Sequence, residues 1–136
     1  MYTEQSCKCG NVEIIIRGKP VIELCCHCED CRASTGKPFT NLAFFKLEHL
    51  AIAGRVSAKE FVADSGNKTR RESCKSCGVM LFDKSDGFPT LVGLMVDNID
   101  YPFEFTPSCH VWTSSKLPAV NIPTGIKCYE KGIEKP

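Results

Sequence analysis

No apolar run in this chain approaches the roughly 20 residues that a membrane-spanning helix needs, so no helical span is expected. A surplus of one charge is missing too: Lys and Arg total 17 against 16 Asp and Glu in 136 residues, a formal net charge of +1. Without a basic excess there is no electrostatic footprint for nucleic acid or an anionic membrane. Amphipathic helices of ordinary length are absent, and Pro102, Pro107, Pro118 and Pro123 exclude a long one in that region. The segment from Met1 to Gly10 is polar and carries two cysteines, unlike a secretory signal, so a cytoplasmic location is expected. There is no internal repeat, low-complexity tract or linker. One domain over residues 1–136 is the economical reading, with a charged tail from Glu130 to Pro136 expected to fray.

What the chain does have is cysteine, ten in all. An even count would suit a disulfide scaffold. In a reducing cytosol, however, clustered cysteines are more often metal ligands, and neighbours such as Cys26 and Cys28 cannot pair with each other without strain. Seven of the ten are clustered: Cys7 and Cys9, then Cys26, Cys28 and Cys31, then Cys74 and Cys77. Zinc accepts four thiolates in a tetrahedron at about 2.3 Å each, and such closed sites hold folds together. Three protein ligands leave a position open to water or substrate.

Short β-like runs separated by turn residues dominate. Strands are expected over 11–17, 21–26, 40–46, 50–53, 59–63, 69–73, 79–82, 90–96 and 110–112, with Val12, Ile14 and Ile16 on one face of the first. Ala33-Ser34-Thr35-Gly36 could form a single helical turn. Gly54, Ser65-Gly66-Asn67 and Ser85-Asp86-Gly87 read as turns. The fold class is therefore mainly β, built of short antiparallel strands.

Cys7-Lys8-Cys9-Gly10 and Cys74-Lys75-Ser76-Cys77-Gly78 both place a glycine directly after the last cysteine. A knuckle that wraps its amides around a metal-bound sulfur needs a positive φ there, which glycine tolerates. Together the two pairs make one four-cysteine site. In Cys25-Cys26-His27-Cys28-Glu29-Asp30-Cys31-Arg32, extended alternation puts Cys26 and Cys28 on one face and Cys25 and His27 on the other. Cys31 can return to the first face through a turn. The ligand set is then Cys26, Cys28 and Cys31, with Cys25 in the core and His27 packed or solvated. Glu29 and Asp30 read either as proton shuttles or as a solvated acidic turn, and Arg32 either as a charge partner or as a surface residue. Cys109 and Cys128 read as core residues. His49, Phe44, Phe45, Phe82, Phe103 and Phe105 read as framework.

The ordered pattern Cys7-x-Cys9-Gly10, Cys26-His27-Cys28-x-x-Cys31-Arg32 and Cys74-x-x-Cys77-Gly78 closely resembles the glutathione-dependent formaldehyde-activating enzyme family, also called the centromere protein V type domain. The likeness runs from about Ser6 to Tyr129 and includes Ala33 to Gly36 and the segment Pro107 to Pro118. It implies a zinc-stabilised β-tent fold, a structural zinc at Cys7, Cys9, Cys74 and Cys77, and a second, catalytic zinc at Cys26, Cys28 and Cys31. It also implies a carbon-sulfur lyase class of activity, the condensation of glutathione with formaldehyde to S-(hydroxymethyl)glutathione. Small-molecule thiol and aldehyde partners follow. Where relatives often carry tryptophan after Lys116-Leu117-Pro118, this chain has Ala119, which points to a reshaped pocket wall or altered packing. The open metal position can take a thiol and ionise it, or polarise the aldehyde oxygen; a zinc already holding three thiolates is electron-rich, which favours thiol delivery. Arg32, Lys37, Arg70 and Arg71 are the candidates for holding glutathione carboxylates. The alternative is a non-catalytic zinc-binding structural or protein-interaction module, its second site closed by Cys109, His110 or His27.

Overall fold

The computed structural model describes residues 2–63, 65–100 and 104–133. Among these residues eleven strands and one short α-helix follow one another as β1 (Tyr2–Ser6), β2 (Glu13–Arg17), β3 (Ile22–Cys26), α1 (Glu29–Thr35), β4 (Thr40–Lys46), β5 (Leu50–Ala53), β6 (Val56–Val62), β7 (Lys68–Cys74), β8 (Met80–Ser85), β9 (Leu91–Met95), β10 (Cys109–Val111) and β11 (Lys127–Cys128). The fold is mainly β, as expected. Each of the nine strands read from hydrophobic alternation has a counterpart, while β1 and β11, which are polar or very short, carry no such pattern. Among the described residues no helix is long and apolar enough to cross a membrane.

A small sheet, β1-β2-β5, lies beside a large one ordered β11-β10-β3-β4-β9-β8-β7-β6. Pairing is antiparallel except around β10, which runs parallel to both β3 and β11. That departs from the all-antiparallel expectation: β10 is reached from β9 by a proline-bearing connection rather than a hairpin, and only a hairpin forces antiparallel pairing. Val12, Ile14 and Ile16 are buried as their alternation implied. They pack with Ala43, Phe45, Val92, Leu94 and Phe82 from one face of the large sheet, forming the main core. Phe105 packs against this core, whereas Phe103 lies outside the described residues.

Among the described residues no sheet covers the opposite face of the large sheet. Directly paired residues share a face, and the registers Ile22↔Phe44, Leu24↔Leu42 and Phe44↔Gly93 put those side chains on that open face, followed by Asp83↔Arg71 further out. The face is concave and forms a groove of about 700 Å³. The Phe44 ring, which lines the groove, lies across Gly93 of β9: a Cβ there would sit 2.9 Å from Phe44 Cε1.

Two local differences from the sequence reading bear on function. The single turn expected over residues 33–36 is a seven-residue helix that begins directly after Cys28 and stops at Gly36, whose N–H bonds to Arg32 O. Its sequence has no apolar stripe because only Cys31 is buried. Residues 130–133 do not stand free: Trp112 N–H donates to Lys131 O at 3.1 Å, Ser114 Oγ donates to Glu130 O at 2.7 Å, and Ile133 packs into the groove-side core.

Candidate metal centres

Cys7 and Cys9 sit in the turn between β1 and β2, while Cys74 ends β7 and Cys77 lies in the turn that leads to β8. The two turns are built alike. The first cysteine of each donates its N–H to a valine carbonyl, Cys7 to Val12 O at 3.1 Å and Cys74 to Val79 O at 2.8 Å. Each then closes on a glycine of positive φ, 79° at Gly10 and 77° at Gly78. Amides turn toward sulfur in both: Val12 N–H to Cys7 Sγ and Cys77 N–H to Cys74 Sγ, each at 3.4 Å. The four sulfurs lie within 4.8 Å of one another, with Cys7–Cys9 at 3.5 Å and Cys9–Cys74 at 3.6 Å. A tetrahedron with 2.3 Å metal–sulfur bonds has edges of about 3.8 Å, so the donor set fits such an ion.

The thiols are already polarised for it. Burial pushes Cys7 up, but the Val12 amide and the thiols of Cys9 and Cys74 outweigh it and bring the group to about 6. Cys77 is lowered, chiefly by the Val79 amide. Cys9 goes the other way, to about 12: the Asn11 amide favours its thiolate, but the neighbouring thiols that it serves outweigh this.

The second centre forms where β3 ends and α1 begins. Cys28 caps the helix, its sulfur accepting from Cys31 N–H at 3.2 Å, which brings Cys31 back to the Cys26 side within one turn. Cys26 and Cys28 sulfurs are 3.4 Å apart, and Cys26, Cys28 and Cys31 form one buried group within 4.8 Å. Three thiolates this close cannot all ionise without a cation. Cys31 is held far below its usual value by donation from Cys26 and Cys28 and by the Arg71 charge, while Cys26 is driven up, first by its bond to Cys28. Cys28 also rises, to about 12, because Cys31 and burial outweigh its bond from Cys26. A soft divalent cation resolves this arrangement, and thiolate donors favour zinc among common ions.

Behind Cys31 stands a group the sequence reading did not assemble. Arg71 is buried; its Nη2 lies 3.2 Å from Cys31 Sγ, its Nε donates to Asp83 Oδ2 at 2.9 Å, and its Nη1 donates to Asp30 O at 3.3 Å. Burial pushes the Asp83 carboxyl up to about 6 against the pull of Arg71. The signal was present: two charged residues, Arg71 and Asp83, stand inside strand segments at positions whose register makes them direct partners. Only the register shows that they meet.

The other candidates are spoken for. Arg32 donates to the carbonyls of His27 (2.7 Å) and Ser115, and so ties α1 to its neighbours rather than facing the groove. Lys37 stands 4.0 Å from Asp97, and Arg70 pairs with Glu60 and Glu72. Of the four proposed anion holders only Arg71 lines the groove, together with Asp30, whereas Glu29 is exposed. Cys25 is buried and donates to Asn41 Oδ1 at 3.1 Å. His27 is fully buried on the face opposite Cys26, 2.8 Å from the His110 ring nitrogen and stacked on it at 5.0 Å between centroids. Cys109 is buried, but Cys128, expected in the core, is exposed because β11 is the edge strand. Ala119 is exposed and lies outside the groove wall, which at that end is formed by Val111, Trp112 and Ile133.

The sequence profile of the family described as "Glutathione-dependent formaldehyde-activating enzyme" matches residues 2–115. Two proteins provisionally named as glutathione-dependent formaldehyde-activating enzymes, from Aspergillus flavus and Aspergillus oryzae, are each 26% identical over 110 residues, 81% of this chain and 51% of theirs. The chain thus spans about half the length of the curated relatives it matches. A crystal structure of a Rhodobacter sphaeroides protein shares the fold, with a TM-score of 0.56 at 20% identity, covering 93% of this chain and 99% of that one. The profile takes in all seven clustered cysteines, and on that match the chain belongs to the glutathione-dependent formaldehyde-activating enzyme family.

Proposed function

We propose that the protein is a zinc-dependent enzyme of carbon-sulfur lyase type that joins a thiol to a carbonyl at Cys26, Cys28 and Cys31, while Cys7, Cys9, Cys74 and Cys77 hold a structural zinc. One observation carries this reading: three buried cysteine sulfurs open on a groove of about 700 Å³, and among the described residues no fourth Cys, His, Asp or Glu joins them. A zinc bound there keeps a free position and supplies the charge that ionises an incoming thiol. Arg71 donates toward Cys31, offsetting part of the charge that three thiolates bring, and Asp83 holds the guanidinium in that orientation. Val111 and Trp112 wall the groove beside the sulfurs and limit water there. Family membership supports glutathione and formaldehyde as the reference pair. Ten cysteines with no disulfide among them suit a reducing, cytoplasmic setting.

Exchange NMR of formaldehyde with glutathione, and with a second small thiol, tests the reaction on protein carrying zinc at both centres. Acceleration over the spontaneous condensation is expected, and Cys28→Ser should lose it. No acceleration with either thiol would sink the reaction class. X-ray absorption tests the open position independently. A full shell of four protein ligands at both centres would favour the non-catalytic zinc module.

A further inference from the structure

The groove is poorly matched to the family's reference thiol. Glutathione carries two carboxylates, and carboxylates taken out of water need cations or donors. Yet the charged residues lining the groove are two acids, Asp30 and Asp83, and two bases, Lys46 and Arg71. Three of the five N–H groups of Arg71 are committed to Asp83, Cys31 and Asp30 O, and its charge is already matched by the Asp83 carboxylate. Lys46 is the last residue of β4, whereas Thr40 at its other end is the one paired with Cys26. Six residues of strand put Lys46 about 20 Å from the sulfurs. Lys131 stands over the Trp112 ring at 5.4 Å but does not line the groove. The remaining cations nearby, Lys68, Arg70 and Lys84, are paired with Glu60 and Glu72, and the latter two alternate onto the face away from Arg71.

What leads away from the sulfurs along β3 and β4 is carbon; the neutral polar side chains of the lining, Ser65, Asn67, Thr69, Ser85 and Thr90, belong to β7, the end of β8 and the β6–β7 and β8–β9 segments on the other side of the groove. Leu24 and Ile22 continue the Cys26 face of β3, Leu42 and Phe44 lie opposite them, and Leu91 and Phe88 follow toward the mouth. The stretch from Cys26 to Ile22 alone is about 13 Å long. We propose that the thiol taken by this centre is an uncharged, apolar one, its alkyl or aryl body lying along this trough, rather than glutathione. The proposal rests on the thiol–carbonyl reading and names its substrate class. An apolar body removes the walls from water at no desolvation cost to charge, whereas the tripeptide would strand its carboxylates against Leu, Ile and Phe.

Trp112, the only tryptophan of the chain, lines the groove, so its fluorescence reports occupancy without any turnover. Titration of the zinc-loaded protein with 1-hexanethiol, 1-hexanol and glutathione should show hexanethiol binding at least tenfold more tightly than glutathione, with hexanol also ahead of glutathione. Ile22→Arg should weaken hexanethiol at least tenfold with zinc content unchanged. Leu91→Arg, nearer the mouth, is the second variant should the first not fold. Glutathione binding as tightly as hexanethiol, or hexanethiol affinity unchanged in both variants, would overturn the proposal. Formaldehyde exchange on the hexanethiol-bound protein separates the two claims: selective binding without acceleration removes the reaction and leaves the apolar specificity standing, whereas acceleration with glutathione alone does the reverse.

Discussion

Replacing Arg71 by methionine keeps most of the side chain's volume and removes its charge from a site that holds Asp83 and Cys31. Removing one partner of a buried ion pair costs about 3–5 kcal/mol, because the other charge stays behind without compensation. Asp83 has an escape, which is to take up a proton. Burial already raises its pKa from 3.8 to about 6, and Arg71 is what opposes the rise. Without Arg71 it climbs further. A carboxyl whose folded pKa exceeds its unfolded one contributes stability below the unfolded value and loses it as pH rises through the folded value. The wild type and Arg71→Met lose this stability together up to about pH 6, so the defect of the variant should stay small to that point and grow by about 1.4 kcal/mol per pH unit above it, until the higher folded pKa of the variant is passed. By pH 8 this growth reaches about 3 kcal/mol, a fall in melting temperature of about 10 °C for a chain of this length. Arg71→Met with Asp83→Asn removes both charges and should recover most of the loss with a flat pH profile. Urea unfolding of the wild type, both single variants and the double at pH 5, 6.5 and 8, with zinc content checked, closes the cycle. A loss that is equal in the single Arg71 variant and the double, and independent of pH, would refute the reasoning and leave Arg71 as a packing residue over the Phe61 ring, 5.5 Å away.

The two metal centres should respond unequally to loss of a ligand. Cys74→Ser should unfold or aggregate the chain, since its site joins the β1–β2 turn to the β7–β8 turn, and metal of this kind contributes on the order of 10 kcal/mol to folding. Cys28→Ser should keep the fold and release one zinc; equal thermal destabilisation in the two variants would contradict that division. The buried His27–His110 pair sets an acid limit. Burial, then His110, brings His27 from 6.5 to about 4, so the unfolded chain takes up a proton that the folded one refuses, and stability is lost as pH falls from about 6.5 toward 4. Circular dichroism melts between pH 7.5 and 5.5, where zinc content can be held constant, should show this decline, with a flatter profile in His27→Phe; an equally steep one in that variant would assign the effect elsewhere.

Much of the architecture was legible because strand alternation is a local property. Val12, Ile14 and Ile16, leading into and along β2, could be read directly because every second side chain is buried, whereas β4 buries Thr40, Leu42, Ala43 and Phe45 without strict alternation and was legible as a short apolar, aromatic run. Helix α1 was legible only as a turn, because a helix that buries a single residue has no periodicity to read. The β10 direction was hidden because parallel pairing depends on a connection whose path is set by packing.

The division of labour between the cysteines was set by the chain itself. Spacing of one or two residues, followed by glycine, makes a knuckle wherever it occurs, and alternation alone separates Cys26 and Cys28 from Cys25 and His27. Which distant residues meet was decided only by tertiary structure. Arg71 reaches Cys31 across 40 positions, Asp83 meets Arg71 through strand register, and Trp112 comes to wall the groove through β10. Ligand identity is a matter of local stereochemistry, which a few residues contain. The shape and charge of the groove above the sulfurs is a sum over strands far apart in sequence, and no short segment contains it.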